Sequence, residues 1–425
     1  MRPTRVRYWV IVFAATLAVI TYVDRVCISF AAPAMQSDLG LSKVEMGWAF
    51  LAFGVAYSLF EIPVGFLGDW AGPRRVLLVI APWWSFFTAA TAWVWNLPSL
   101  LVTRALFGLG EAGGFPNLAK MLATWLPERE RARAQGIMWL SARWGGAFTP
   151  PLVALVMLRV GWRHGLELFG CLGAIWAAFF YHWYRDNPLD NPKLNEAERE
   201  VLRPGARLAA GHVHVPWGRL LVSRQVWMLC LQYFAAGWGW YFYITWLPTY
   251  LRDERHLAIG SRALLGILPL FIGGLGNPVG AFAVGRLTPV LGVAWARRTV
   301  SSVGFAGAAC ALFFSTRMND PLLAMLAISA AAFGNDLNMA PAWAAAMDVG
   351  GQYAGTVSGA MNMWGNGGGA ISPLVIPYIL RWTNNNWNLT FYVSAAIYAT
   401  GVIFWLLLDP VTPLEATGGR RSLVG

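Results

Sequence analysis

Charge is what this sequence has least of. Only 12% of its 425 residues are Asp, Glu, Lys or Arg, about half the share of a soluble domain. With 57% hydrophobic residues and a mean hydropathy of +0.49, a water-soluble globule is excluded. Cysteine is scarce as well. Cys27, Cys171, Cys230 and Cys310 stand alone in apolar runs, so no disulfide framework or zinc site is indicated. The five histidines never pair on one helix face, which argues against a metal centre, and His212 and His214 read as solvated loop residues. Neither HExxH nor GxSxG occurs, so the chain is not read as an enzyme and no cofactor is expected. Short alternating segments are missing too, which excludes a membrane β-barrel. Acids are outnumbered, 21 against 32 Lys and Arg. In a soluble chain that surplus would suggest nucleic acid; here no nucleic acid partner is expected, because the bases have another use.

What the chain has is long apolar runs. Twelve are long enough to cross a bilayer, which takes about 20 residues. They lie near 8–32, 45–69, 75–95, 97–122, 133–158, 163–184, 224–250, 263–290, 299–317, 320–347, 354–380 and 388–408. An all-α membrane protein follows, lodged in a lipid bilayer. Placing both termini in the cytoplasm puts Arg2/Arg5/Arg7, Arg74/Arg75, Arg129/Arg131/Arg133, Arg297/Arg298 and Arg420/Arg421 inside, in the sense of the positive-inside rule. The first run is too long for a signal peptide and contains Asp24-Arg25, so it reads as a retained helix. One stretch is polar and turn-rich, with Asn187-Pro, Asn191-Pro and a charged run from Glu196 to Arg207. The expected organisation is therefore a six-helix bundle over 1–186, a cytoplasmic linker with room for a short amphipathic helix over 187–223, a second bundle over 224–413, and a tail over 414–425.

Ionisable groups inside apolar spans are costly and call for a function or a partner. The fourth span holds Arg104-Ala-Leu-Phe-Gly-Leu-Gly-Glu111. Seven residues is two helical turns, so both charges share one face. Glycines at 108, 110, 113 and 114 thin the helix for close packing. The plain reading is a structural ion pair. The functional one is an anion site at Arg104 coupled to a titratable Glu111, the charged carboxylate holding Arg104. Asp24 and Arg25 in the first span favour the functional reading; they point about 100° apart and need not pair with each other. Lys120, Glu128, Arg129, Glu130, Arg131 and Arg133 read mostly as a solvated face. Asp69, Arg74 and Arg75 form a turn after the second span, where Asp69 is placed to cap a helix of the other half.

The halves echo each other. Gly136, Met138, Gly145, Gly146, Ala147 and Pro150 recur as Gly359, Met361, Gly368, Gly369, Ala370 and Pro373, an offset of 223 residues. Trp139 then matches Asn362, and Arg143 matches Asn366. Six spans per half make this a parallel repeat. Arg143 lies at membrane depth: it either pairs with a buried acid such as Asp336 or binds a second group on a substrate. Asn362, Trp364 and Asn366 would be costly facing lipid.

These residues resemble the anion:cation symporter family of the major facilitator superfamily, which includes sialin and bacterial galactonate, glucarate and hexuronate transporters. The resemblance rests on Tyr22-Val-Asp24-Arg25, Arg104 with Glu111 and Phe115-Pro116, Trp125-Leu-Pro, Gly161-Trp162-Arg163, Trp246-Leu-Pro-x-Tyr250-Leu, and Asn362 with Gly368-Gly369-Ala-Ile-Ser-Pro373. The Gly65–Arg75 loop resembles the superfamily's signature but carries Trp70 and Pro73 where a base is usual. The resemblance implies twelve helices in two bundles, alternating access, and import of a small organic anion with protons by a monomer in the inner membrane. It makes Asp24 and Glu111 the proton-coupling carboxyls, gives Arg25 and Arg104 to the substrate carboxylate or to those acids, and lets Tyr22, Tyr57, Asn362 and Trp364 line the site. Arg143 and Asn366 are added as substrate contacts, and Asp69, Arg74 and Arg75 as the gate. A uniporter or exchanger without proton coupling, and a transport-dead sensor, are the alternatives.

Overall fold

The computed structural model describes residues 3–41, 43–209, 215–256 and 259–414. Arg2, His212, His214, Arg420, Arg421 and the tail from 415 lie outside them. No strand occurs among the described residues. The helices are α1 (Trp9–Leu39), α2 (Lys43–Ala71), α3 (Pro73–Ala90), α4 (Leu97–Ala112), α5 (Gly114–Trp125), α6 (Glu128–Trp183), α7 (Glu196–Ala209), α8 (Trp217–Val222), α9 (Arg224–Thr245), α10 (Leu247–Asp253), α11 (Ile259–Ser315), α12 (Pro321–Leu337), α13 (Met339–Gly350), α14 (Ala354–Trp382) and α15 (Trp387–Leu407).

Glycine and proline divide these helices into passes. The 57 residues of α11 would run about 85 Å as one rod, far beyond a hydrocarbon core of about 30 Å. Gly292, at φ 75°, breaks it into two passes, and Gly161, at φ 79°, does the same in α6. Only glycine takes that backbone without strain. Conversely, α4 with α5, α9 with α10, and α12 with α13 are single passes with a short interruption. Twelve membrane passes result among the described residues. Seven stretches, covering nine of these passes, are long and apolar enough on composition alone. The other three are α4/α5 with Arg104 and Glu111, the first arm of α6 with Arg143, and aromatic-rich α9.

Caps fix the ends. Asn96 and Ser99 form a reciprocal capping box on α4, Ser223 caps α9, and Asp320 caps α12 ahead of Pro321. Helix α1 outruns its apolar span, reaching Leu39 before Gly40 ends it at φ 65°. The extra turn is held from outside, with Trp162 Nε1 donating to Asp38 at 2.7 Å. The linker contains the amphipathic helix α7, pinned by a 3.0 Å ion pair from Arg7 to the fully buried Glu198.

Two compact units emerge. Unit 1 comprises Met1–Pro127, Ser141–Val215 and Gly350–Gly359; unit 2 comprises Glu128–Leu140, Pro216–Val349 and Ala360–Gly425. Each thus includes a short piece from the other half of the sequence, and the two pieces occupy nearly equivalent places in the 223-residue repeat. In unit 1, α4 lies so close to α2 that a Cβ on Gly108 would stand 2.6 Å from the Phe53 carbonyl oxygen. In unit 2, α11 and α12 meet at Gly304 and Gly334, where a Cβ on Gly304 would lie 2.5 Å from the Gly334 oxygen. Membrane helices gain from such backbone approach because lipid supplies little hydrophobic drive.

That contact generates a paired prediction. Gly304→Ala must push α11 and α12 apart and should cost about 1–3 kcal/mol. Gly307→Ala, with nothing within 4 Å of its Cβ, should be neutral or gain roughly 0.5–1 kcal/mol through helix propensity. Thermal unfolding of the purified protein in detergent distinguishes the two; equal melting temperatures would refute the close approach.

Candidate functional site

Unit 1 brings together four ionisable side chains at membrane depth. Asp24, Arg104 and Glu111 are at most 2% exposed, and Arg25 is partly open. Glu111 sits one residue before the end of α4, where Gly113 interrupts the pass. Pro116, lacking an N–H, cannot bond the Ala112 carbonyl in the next turn. Glu111 Oε2 accepts a 2.8 Å hydrogen bond from Arg25 Nε. Of the two arginines offered to the acids, the hydrogen bond comes from Arg25 of α1 and not from Arg104, which shares a helix face with Glu111. The reason is geometric: a span seen alone shows which residues share a face, not which neighbouring helix reaches across it.

Aromatic rings bracket the two guanidinium groups. Arg25 lies 4.5 Å from the Tyr57 ring centre, 5.4 Å from Phe53 and 5.8 Å from Tyr22. Arg104 lies 4.3 Å from Phe107 and 5.1 Å from the same Phe53. One ring therefore serves two cations, while one carboxylate oxygen serves only Arg25. Arg25 Nη2, Arg104 Nε, Glu111 Oε1 and both Asp24 oxygens make no hydrogen bond among the described residues. Asp24 stands instead among Trp84, Thr88, Glu111 and Arg104. Buried donors and acceptors of this kind are a chemical resource, since each gains from a partner of matching charge.

The remaining candidates are more dispersed. Arg143 is half-buried on α6, three residues before Gly146, whose absent side chain lets the Tyr22 ring pack within 2.9 Å of a notional Cβ. Asp336, its suggested structural partner, accepts hydrogen bonds from Asn277 at 3.2 Å and Asn335 at 3.3 Å. In unit 2, Asn366 Nδ2 donates to the Asn362 carbonyl at 3.1 Å. Trp364 packs edge-on against Trp227 at 5.3 Å, a packing role alongside the expected lining one.

Two buried ion networks are also formed. Asp69 accepts from the backbone N–H of Gly355 at 2.9 Å and of Thr356 at 2.6 Å, capping α14 at its positive end. Lys120 pairs with Asp69 at 3.3 Å and donates to the Gln352 carbonyl. Arg74 turns instead to the end of α6, with its N–H on Asp186 at 2.9 Å and its guanidinium on the Tyr181 carbonyl at 2.8 Å. Arg75 is exposed. In unit 2, Asp348 pairs with Arg131 and, at 2.6 Å, with Arg297. Of the run expected to be mostly solvated, Lys120 and Arg131 are buried and paired. Lys120 had a signal, its place inside an apolar span; Asp348, at the end of one, had none.

Comparison with known proteins agrees with this architecture. The family model described as Major Facilitator Superfamily matches residues 14–373. A probable sulfoacetate transporter of Cupriavidus necator is 31% identical over 99% of this chain and 98% of its own. The hexuronate transporter of Bacillus subtilis is 30% identical over 88% of each, and a D-galactonate transporter of Escherichia coli 28% over 96% and 97%. Among solved structures, the transporter FucP in its outward conformation aligns with a TM-score of 0.75 at 14% identity, over 95% of this chain and 99% of FucP. The proton:xylose symporter XylE aligns with a TM-score of 0.72 at 12% identity, over 97% and 98%. These are transporters, not enzymes, and this twelve-helix, multi-pass membrane chain belongs to the major facilitator superfamily, within its anion:cation symporter family.

Proposed function

We propose that this protein imports a small organic anion together with protons, by alternating access, as a monomer with both termini in the cytoplasm of a cell with an inner membrane. The observation that carries the reading is the Arg25–Glu111 pair, its carboxylate fully buried, set beside a second acid, Asp24, and a second base, Arg104. The relatives named above for sulfoacetate, hexuronate and D-galactonate supply the substrate class.

Coupling follows from competition for one guanidinium. While Glu111 is ionised it occupies Arg25, and an incoming carboxylate meets a neutralised pair. A proton on Glu111 removes that charge and releases Arg25 to the substrate. Proton and anion binding then favour each other, and the coupling is reciprocal. Asp24 is the second proton site, close enough to sense Glu111. Tyr22, Tyr57 and Phe53 shape the cation faces, while Arg104, Arg143, Asn362, Trp364 and Asn366 complete the recognition set. Asp69 with Lys120, and Asp348 with Arg131 and Arg297, act as the latches that open and close once per cycle; Arg74 and Arg75 secure the turn that carries Asp69.

Uptake into proteoliposomes tests the whole reading, using sulfoacetate, glucuronate, galactonate and glucarate with and without an inward proton gradient. At least one should accumulate above its external concentration only with the gradient. Uptake that only equilibrates, with or without the gradient, would identify a uniporter or exchanger, and no uptake of any of these anions would favour a sensor.

Two variants sharpen it. Glu111→Gln fixes the site in its neutral form. It should retain anion binding and counterflow exchange while losing gradient-driven accumulation; wild-type accumulation would remove Glu111 from the mechanism. Arg143→Gln should lose on the order of 1.5–3 kcal/mol of transition-state binding for glucarate, a diacid, and much less for gluconate, which lacks the second carboxylate. Equal losses for both, rescued by neutralising Asp336, would instead assign Arg143 to a structural pair.

A further inference from the structure

Unit 2 carries a groove of about 590 Å³ that the transport reading does not use. Its lining includes Arg129, Glu130, Arg133 and Ile137 of α6 and Pro278, Phe282 and Arg286 of α11. The floor is where the two helices touch: a Cβ on Gly136 would lie 2.7 Å from that of Ala281. The walls are graded. Along α6, Arg129, Arg133 and Ile137 follow at four-residue intervals on one face, basic first and apolar one turn deeper. Along α11 the order reverses with the direction of the chain, Pro278 and Phe282 preceding Arg286, which reaches the end of its pass just before Gly292. Both walls therefore place arginine at the same end of the groove and hydrocarbon at the other.

The three arginines are exposed and form no ion pair among the described residues. Arg286 lies over the Phe282 ring at 5.0 Å, and that ring is 62% exposed. Arginine held on an aromatic face keeps its planar donor edge turned outward. Three bases against one acid select an anion. The apolar lower wall, at membrane depth, selects an anion with a hydrocarbon chain attached. Basic pockets between membrane helices on the cytoplasmic side are suited to anionic lipid headgroups, and the volume lies in the usual range for a small-molecule site.

We propose that this groove binds an anionic phospholipid of the cytoplasmic leaflet. Its phosphate sits among Arg129, Arg133 and Arg286, and its first acyl carbons lie along Ile137 and Phe282. The site is separate from the transported anion, and none of these residues belongs to the binding or coupling set.

The test uses the full-length protein, purified and delipidated in neutral detergent. Dioleoyl-phosphatidylglycerol, dioleoyl-phosphatidylcholine and glycerol 3-phosphate are titrated separately, with thermal unfolding and native mass spectrometry as readouts. Phosphatidylglycerol should raise the melting temperature by several degrees more than phosphatidylcholine, and glycerol 3-phosphate should do little. Arg133→Gln/Arg286→Gln should weaken phosphatidylglycerol binding roughly tenfold to thirtyfold and leave phosphatidylcholine binding unchanged. Arg133→Lys/Arg286→Lys, which keeps the charge, should retain most of the preference and shows that the fold survives substitution there. Undiminished phosphatidylglycerol binding in the glutamine variant would overturn the proposal. So would glycerol 3-phosphate matching the lipid, which would make this a small-anion site, or equal binding of both lipids by the wild type, which would make the groove merely apolar.

Discussion

The Arg25–Glu111 pair is the interaction on which this structure turns. A carboxylate and a guanidinium taken out of water lose several kcal/mol of hydration each, and a single contact repays this only with good geometry and further hydrogen bonds. Here the geometry is good, at 2.8 Å, but the pair is under-bonded: Glu111 Oε1 and Arg25 Nη2 find no protein partner among the described residues. A second base and a second acid lie in the same buried region. Such an arrangement is poorly explained as a stabilising device. It is well suited to exchange, in which a proton or an anion replaces one member and the others adjust.

Close helix packing surrounds the carboxylate of this pair. Glycines at 108, 110 and 113 remove bulk from α4 where Phe53, Trp83 and Val64 press against it. The same economy recurs between α11 and α12. The two buried ion networks then use different chemistry at corresponding loops of the repeat. In one, a carboxylate caps the backbone of a helix start; in the other, a carboxylate is held between two arginines. Both are buried ion networks at helix ends.

Much of this was legible in the sequence. Low charge and twelve apolar runs fixed the class, and the recurrence of Gly136 to Pro150 as Gly359 to Pro373 disclosed the repeat. Asp24, Arg25, Arg104 and Glu111 stood out because an ionisable group in a membrane span is expensive. Their pairing did not. Periodicity reports a helix face, and Arg104 does share one with Glu111, but the partner came from another helix 86 residues earlier. Lys120 and Arg131 were obscured for a related reason. Near a membrane boundary a solvated base and a paired one have the same local sequence, and only the fold delivers Asp69 or Asp348 to them. Trp364 offered no sign in the sequence of its edge-on contact with Trp227.

In the proposed cycle, substrate binding and protonation of Glu111 are one coupled event. Infrared difference spectroscopy of the purified protein measures this directly. The anion that the uptake panel selects is added near neutral pH, and the carbonyl stretch of protonated carboxyl groups is recorded. A band should rise on anion binding in the wild type and be missing when Glu111 is replaced by Gln. A carboxyl region unchanged by the anion, or a band that persists in the Gln variant, would contradict it.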